Sequence, residues 1–171
     1  MNRRIVLRLS AITALGLALL AGNAVAQQKT AKEQLTGTWM LVSVIQTNKD
    51  GTKSNRFGEN PKGMIIFGAD GRYSWLITRS DIPKFAVNNV NKGTAEENRA
   101  VVQGIVADIG TWSVDEATKT FTTNVEAGSF PNVNGVSRKR VYTSLTANEL
   151  RYTNSDSIAG TIVEGVWKRV N

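Results

Sequence analysis

Short segments in which apolar and polar residues alternate recur from Gly37 to the C-terminus, and turn residues separate them. Alternation with a period of two is typical of β-strands, because successive side chains point to opposite faces of a sheet. Eight or nine such segments, spaced about 8–12 residues apart, predict an all-β antiparallel sandwich or barrel. In the first segment, 38–46, strict alternation predicts that Trp39, Leu41, Ser43 and Ile45 share one face, opposite Met40, Val42 and Val44.

The stretch GENPKGMIIFGADGRYSW, residues 58–75, has the glycine spacing of a phosphate-binding loop. In such a loop the second glycine is followed by Lys and then by Ser or Thr, which reach the phosphates and magnesium. Here Met64 follows the second glycine, so the residues that would bind phosphate are missing. We interpret the stretch as a hairpin, with strands at 64–67 and 72–79 joined by a turn at Ala69-Asp70-Gly71.

The strand pattern is interrupted once, between the predicted strands at 72–79 and 109–115. Thr94 and Glu97 have the spacing of a capping box, which predicts the start of a helix. Apolar residues continue at helical spacing, so we predict a helix to about Asp108 that packs one apolar stripe on the core and closes or flanks one end of the barrel. The residues of this stripe are Val101, Val102, Ile105, Val106 and Ile109.

The N-terminal 26 residues have the layout of a secretory signal. Three arginines precede an apolar run from Leu9 to Ala21, and Ala24-Val25-Ala26 is a small-x-small cleavage site. The apolar run is too short to span a bilayer well, so we expect cleavage and no membrane span in the mature protein. The sequence therefore predicts a signal peptide at 1–26, one domain at 27–171, and a periplasmic or secreted location.

Charge and missing residue types exclude several functions. The net charge is +7, and removal of residues 1–26, which carry three arginines, leaves 145 residues with a charge of +4. The basic residues are scattered, so we predict no nucleic-acid binding, which needs a denser basic stripe. The chain has no Cys and no His, which excludes disulfides, histidine-dependent nucleophiles and the usual zinc sites. We expect a monomer with no metal, no cofactor and no assigned catalytic residue.

Six motifs in order resemble the lipocalin-like domain family over nearly the whole mature chain, from about Leu35 to Arg169. They are LTGTWMLVS at 35–43, GENPKGMIIFGADGRYS at 58–74, RSDIPKF at 79–85, GTAEENRA at 93–100, GTWSVDEATKTFT at 110–122 and SFPNVNGVSRKRVY at 129–142. The resemblance implies an up-and-down antiparallel β-barrel of about eight strands with an interior cavity and one inserted helix. Thr123 and Asn124 stand where we expect family members to carry histidine, so no acid/base role passes to those positions.

The Gly37-Thr38-Trp39 segment is similar to the opening motif of lipocalins. In that motif the tryptophan closes the base of the barrel, and an arginine from a late strand lies over its ring. Arg169 and Arg140 are both candidates for this cation–π contact. The resemblance implies a structural role for Trp39.

Arg140 and Tyr142 are candidates for ligand binding, because residues two apart in a strand point to the same face. A guanidinium beside a phenol can hold a carboxylate through charge-assisted hydrogen bonds. The pair resembles the Arg-x-Tyr motif of intracellular fatty-acid-binding proteins, although that motif lies on the final strand and here two more strands follow. The alternative is an outward-facing basic strand, with Arg138 solvated or paired to Glu126 or Glu149.

Five aromatic residues either line a cavity or fill the barrel: Tyr73, Trp75, Trp112, Phe121 and Tyr152. We predict a ligand site made of Arg140, Tyr142, Tyr73, Trp75, Trp112 and Phe121. The remaining acid/base candidates show no diagnostic pairing, and most of them are expected at the surface; they are Asp81, Asp108, Glu126 and Glu164.

Three functions remain open from the sequence. The first is the binding of a small, largely apolar or amphipathic molecule, with an organic acid or a lipid fragment as candidates. The second is a cyclase or isomerase that acts inside the barrel. The third is an envelope interaction module with a filled barrel and an exposed apolar patch.

Overall fold

The structure is a computed structural model that describes residues 29–170, so the predicted signal at 1–26 lies outside the described residues. It contains nine strands and two α-helices in this part of the chain. The helices are α1, Ala31–Leu35, and α2, Ala95–Gly104. The strands are β1 Gly37–Thr47, β2 Lys53–Ser54, β3 Lys62–Phe67, β4 Arg72–Thr78, β5 Ile105–Asp115, β6 Thr120–Gly128, β7 Ser137–Leu145, β8 Glu149–Asn154 and β9 Ile162–Arg169.

The sheet is antiparallel throughout and closes on itself. Consecutive strands from β3 to β9 pair with one another, and β1 pairs with β3 on one side and with β9 on the other. The result is a closed eight-stranded, up-and-down barrel, to which the two-residue β2 adds a short pairing at the end of β1. The predicted barrel with one inserted helix is confirmed, and so is the predicted hairpin, which β3 and β4 form.

A bulge in β1 changes which residues face inward. Leu41 pairs with Trp167 and Ser43 pairs with Val166, so Val42 is an extra residue between them. An extra residue places every side chain after it on the face of the sheet opposite to the one that strict alternation assigns. Val44 is therefore buried inside the barrel, and the strict alternation predicted for 38–46 is wrong beyond Leu41.

The inserted helix is shorter than predicted. It begins as expected, because the Thr94 hydroxyl accepts a hydrogen bond from the Glu97 backbone N–H. It ends at Gly104, and Ile105–Asp108 instead pair with β4, which satisfies their backbone groups in the barrel ladder. The predicted apolar stripe is consequently split between helix and strand, and Val102 remains 66% exposed.

One end of the barrel is closed by α1, which the sequence analysis did not identify. Its capping box, Thr30 and Glu33, is readable in the sequence. Leu35 at its end is fully buried, and the Trp39 indole donates a hydrogen bond to the Leu35 carbonyl. Arg169 lies over Trp39, with 4.2 Å from Cζ to the ring centroid, so Arg169 and not Arg140 makes the predicted contact.

The outer face of β1, β3, β4 and β5 carries several apolar side chains. Six of them are between 37% and 47% exposed: Met40, Val42, Met64, Ile66, Leu76 and Ile109. Such a patch is a feature that the interaction-module hypothesis predicts. None of the helices within residues 29–170 is long and apolar enough to cross a bilayer.

Candidate functional site

A cavity of about 40 Å³ lies inside the barrel at the end opposite α1. This volume accommodates roughly two or three water molecules. Its apolar wall includes Val44, Phe57, Trp75, Ile77, Val106, Tyr152, Ile158 and Val163. Its polar wall consists of Gln46, Arg56, Arg138, Arg140, Asn154 and Ser157. The α2 helix lies at the same end but contributes no residue to this wall.

Below the cavity the barrel is filled by aromatic rings. Phe67 lies 4.9 Å from Trp112 and 5.6 Å from Phe121, measured between ring centroids. Tyr152 lies 5.6 Å from Phe121 and 5.8 Å from Trp75, both in edge-to-face geometry. This packed layer places Trp112 and Phe121 beneath the cavity, and of the predicted aromatic residues only Trp75 and Tyr152 belong to its wall.

Arg140 is a guanidinium buried at the floor of the cavity. The residue is 3% exposed, and its Cζ lies 4.3 Å from the centroid of the Trp75 ring. Its Nη1 donates a hydrogen bond of 2.9 Å to the Thr123 hydroxyl. No ion pair to Arg140 forms among residues 29–170. Burial therefore lowers the pKa of Arg140 from its usual value.

Arg138 also points into the barrel, where it meets a buried carboxylate. The Tyr73 hydroxyl donates a 2.7 Å hydrogen bond to Asp108 Oδ1, and Arg138 Nη1 lies 3.5 Å from Asp108 Oδ2. Arg138 Nε is buried without a hydrogen-bond partner in the described part of the chain. Burial, together with the hydrogen bond to Asp108, raises the pKa of Tyr73.

These contacts correct two expectations. Asp108 is one of the four acidic residues that were expected mostly at the surface, but it is buried because β5 starts three residues before it and turns its side chain inward. The alternative of an outward basic strand is wrong, since Arg138 and Arg140 both lie on the inner face of β7. The proposed surface partners are engaged elsewhere: Glu126 pairs with Arg72, and Glu149 pairs with Arg151.

The mouth of the cavity holds a third guanidinium, on the loop between β2 and β3. Phe57 in this loop is 4% exposed and reaches the barrel core. Arg56 is half-buried, and its Cζ lies 5.1 Å from the Phe57 ring centroid. Burial and then the nearby positive charge of Arg138 lower the pKa of Arg56. The two guanidiniums are thus close enough to repel each other.

Cationic groups outnumber anionic groups around the cavity. Arg56, Arg138 and Arg140 belong to its wall, and Asp108 is the one carboxylate in contact with any of them among the described residues, which gives a local charge of +2. Each guanidinium has five N–H donors. Most of these donors have no protein acceptor within residues 29–170.

The sequence predicted part of this arrangement. Arg140 and Trp75 are on the cavity wall, and Tyr73 reaches the site through Asp108. Tyr142 is half-buried nearer the closed end, where burial and the negative charge of Glu116 raise its pKa. Arg138 was missed as a site residue, although strand periodicity requires it to face the same way as Arg140.

Comparison with known proteins identifies the family of the chain. Residues 36–169 match the model of the lipocalin-like domain. The chain belongs to this family. No curated protein matches the sequence.

The lipocalin-like chain is also similar to solved structures, all at low identity. A lipocalin-like protein from Bacteroides uniformis has 13% identity and a TM-score of 0.43, with 80% of this chain and 99% of that chain covered. Bovine odorant-binding protein has 14% identity and a TM-score of 0.41, covering 84% and 74%. The amine-binding protein of Rhodnius prolixus has 12% identity and a TM-score of 0.40, covering 79% and 63%.

Proposed function

We propose that this lipocalin-like protein is exported and binds a small, largely apolar molecule through an acidic head group. The head group would lie at the open end of the barrel, against Arg140 and Arg138. The observation that carries the proposal is the buried Arg140 guanidinium, which has no carboxylate partner within residues 29–170.

The energetic argument concerns the cost of burying Arg140. Removal of a charged group from water costs several kcal/mol, about as much as many folded domains can lose before they unfold. A Met or Leu side chain would fill the same space over the Trp75 ring without that cost. A bound carboxylate would offset the cost, because charge-assisted hydrogen bonds to a guanidinium are stronger than neutral ones.

The size and lining of the cavity indicate how a ligand would lie. A volume of about 40 Å³ is enough for an acidic head group but not for a whole lipid fragment. The apolar part would then extend toward the mouth, where Phe57, Ile158 and Val163 form the wall. Displacement of Phe57, which lies on a loop, would enlarge the available space.

Export rests on the first 26 residues, whose basic start, apolar run and small-residue cleavage site suit a secretory signal. A periplasmic or secreted protein would be purified with Gln27 as its first residue. N-terminal sequencing of the protein from the exported fraction tests this directly, and an intact Met1 there would contradict it.

Native mass spectrometry tests the binding function. We expect the gently purified protein to carry a bound mass that disappears on denaturation. The Arg140→Met variant should lose it, whereas Lys139→Met should retain it, because Lys139 is exposed on the outer face of the same strand. Retention of the bound molecule by Arg140→Met, or its loss from both variants, would contradict the proposed role of Arg140.

A further inference from the structure

We infer that the head group bound at this site carries two negative charges and that Arg56 is its third cationic contact. The inference rests on the proposed function, since it names the chemical class of the ligand for the same site. A phosphate monoester and a dicarboxylate share this chemistry.

The net positive charge around the cavity determines how many negative charges a bound head group needs in order to compensate it. Asp108 offsets one of the three guanidiniums, and two positive charges remain. A monocarboxylate would leave one of them uncompensated in a partly buried site, which is unfavourable. A dianion would offset both. Arg56 is half-buried, so solvent screens part of its charge, and its contribution should be smaller than that of Arg140.

The unused hydrogen-bond donors lie where such a head group would need them. Arg138 is 7% exposed and lines the cavity, and its Nε has no hydrogen-bond partner in the described residues. The 3.5 Å separation of Arg138 from Asp108 is long for a charge-assisted hydrogen bond. Arg138 therefore retains donors for an incoming anion while it keeps its contact with Asp108.

Arg56 is placed to close over the head group. It lies on the loop at the mouth of the cavity, beside Phe57 and near enough to Arg138 for their charges to interact. An anion between Arg56 and Arg138 would be attracted by both guanidiniums, and these two attractions would offset the repulsion between them. The second negative charge is the part of the head group that Arg56 would recognise.

A series of ligands with one alkyl tail and different head groups tests the inference. Hexanol, heptanoate, hexylmalonate and hexyl phosphate supply no charge, one carboxylate, two carboxylates and a phosphate monoester. Calorimetric titrations would be run at about pH 8, since the second pKa of a phosphate monoester is about 6. We expect both dianions to bind about tenfold or more tightly than heptanoate, and hexanol to bind weakest.

Two variants assign the preference to Arg56. In Arg56→Gln the preference for dianions should fall to about threefold or less, while the affinity for heptanoate stays within about twofold. Lys53→Gln removes one positive charge from an exposed position on β2 and should leave the preference unchanged.

The outcomes separate the two proposals. Equal affinity for heptanoate and both dianions would overturn the inference and leave the proposed function standing. A dianion preference that persists in Arg56→Gln would overturn the role of Arg56. Binding of hexanol as tight as that of the acids, or no binding of any acid, would overturn both. A preference confined to hexyl phosphate would identify the head group as a phosphate monoester, and one confined to hexylmalonate would identify it as a dicarboxylate.

Discussion

Replacement of Arg140 by Met should stabilise the ligand-free protein while it abolishes binding of the acidic ligand. If Arg140 were needed for packing, its replacement would instead destabilise the fold. Met is unbranched and flexible, and it can occupy the space over Trp75 without a charge. The variant therefore separates a functional guanidinium from a structural one.

The expected magnitude follows from the contacts of Arg140. The variant loses one hydrogen bond from a charged donor to Thr123, about 1.5–3 kcal/mol, and a desolvated cation–π contact with Trp75, about 2 kcal/mol. It also removes a desolvation penalty of several kcal/mol, which no direct ion pair offsets and which the charge of nearby Asp108 offsets only in part. We expect a net gain of about 0–3 kcal/mol in the free energy of unfolding. Each kcal/mol corresponds to roughly 2–4 °C in Tm for a domain of this size.

Urea and thermal unfolding of ligand-free protein would measure this change, with Arg169→Met as the matched control. Arg169 also lies over a tryptophan, but its guanidinium donates to the carbonyls of Ala147, Thr36 and Gln34. Its replacement should cost about 2–4 kcal/mol, since those hydrogen bonds are lost. A loss of more than about 2 kcal/mol in Arg140→Met would refute the reasoning, because it would mean that Arg140 is held for stability.

Further outcomes are expected for two variants and for the pH dependence of stability. Asp108→Asn should destabilise the ligand-free protein by about 3–5 kcal/mol in urea unfolding, because Arg138 loses its carboxylate. The same variant should bind heptanoate several-fold more tightly by calorimetry; weaker binding would contradict the charge argument. Phe57→Ala should cost about 2–4 kcal/mol and speed ligand dissociation in stopped-flow measurements, and an unchanged dissociation rate would show that Phe57 does not restrict the mouth. All three tyrosines have raised pKa values, mainly through burial, so their contribution to stability should be constant below about pH 10 and should be lost as the pH rises above it. Ultraviolet titration should accordingly show that the buried Tyr73 and Tyr152 ionise only as the protein unfolds, whereas ionisation of more than one tyrosine near pH 10 in folded protein would contradict their burial.

The sequence was sufficient for the barrel because period-two alternation and turn residues agree along most of the chain. The hairpin of β3 and β4 is one example, where alternation, an Asp-Gly turn and buried aromatic residues all indicate the same register. The bulge at Val42 could not be predicted, because the extra residue is defined by its pairing with β9. The end of α2 was missed for a similar reason, since the pairing of Ile105–Asp108 with β4 overrides a helical apolar pattern.

The candidate site was harder to predict than the fold, because burial decides the role of a charged residue. Strand periodicity places Arg138 and Arg140 on one face, but whether that face is the inside depends on the register of β7 with its neighbours. Asp108 was assigned to a helix, and only its place in β5 brings it to Tyr73 and Arg138. Partners 30 or more residues apart in the chain leave no local signal for their pairing.

The two arginine–tryptophan contacts show how the barrel can tolerate an uncompensated charge. At the closed end, Arg169 over Trp39 has its donors satisfied by three backbone carbonyls, and this end contributes stability. At the open end, Arg140 over Trp75 has one protein acceptor, so we expect its burial to cost stability. A domain only marginally more stable than its unfolded state can carry such a cost only if it is offset elsewhere. Binding of an anion should therefore raise Tm more in the wild-type protein than in Arg140→Met, and an equal increase in both would place the anion outside the barrel.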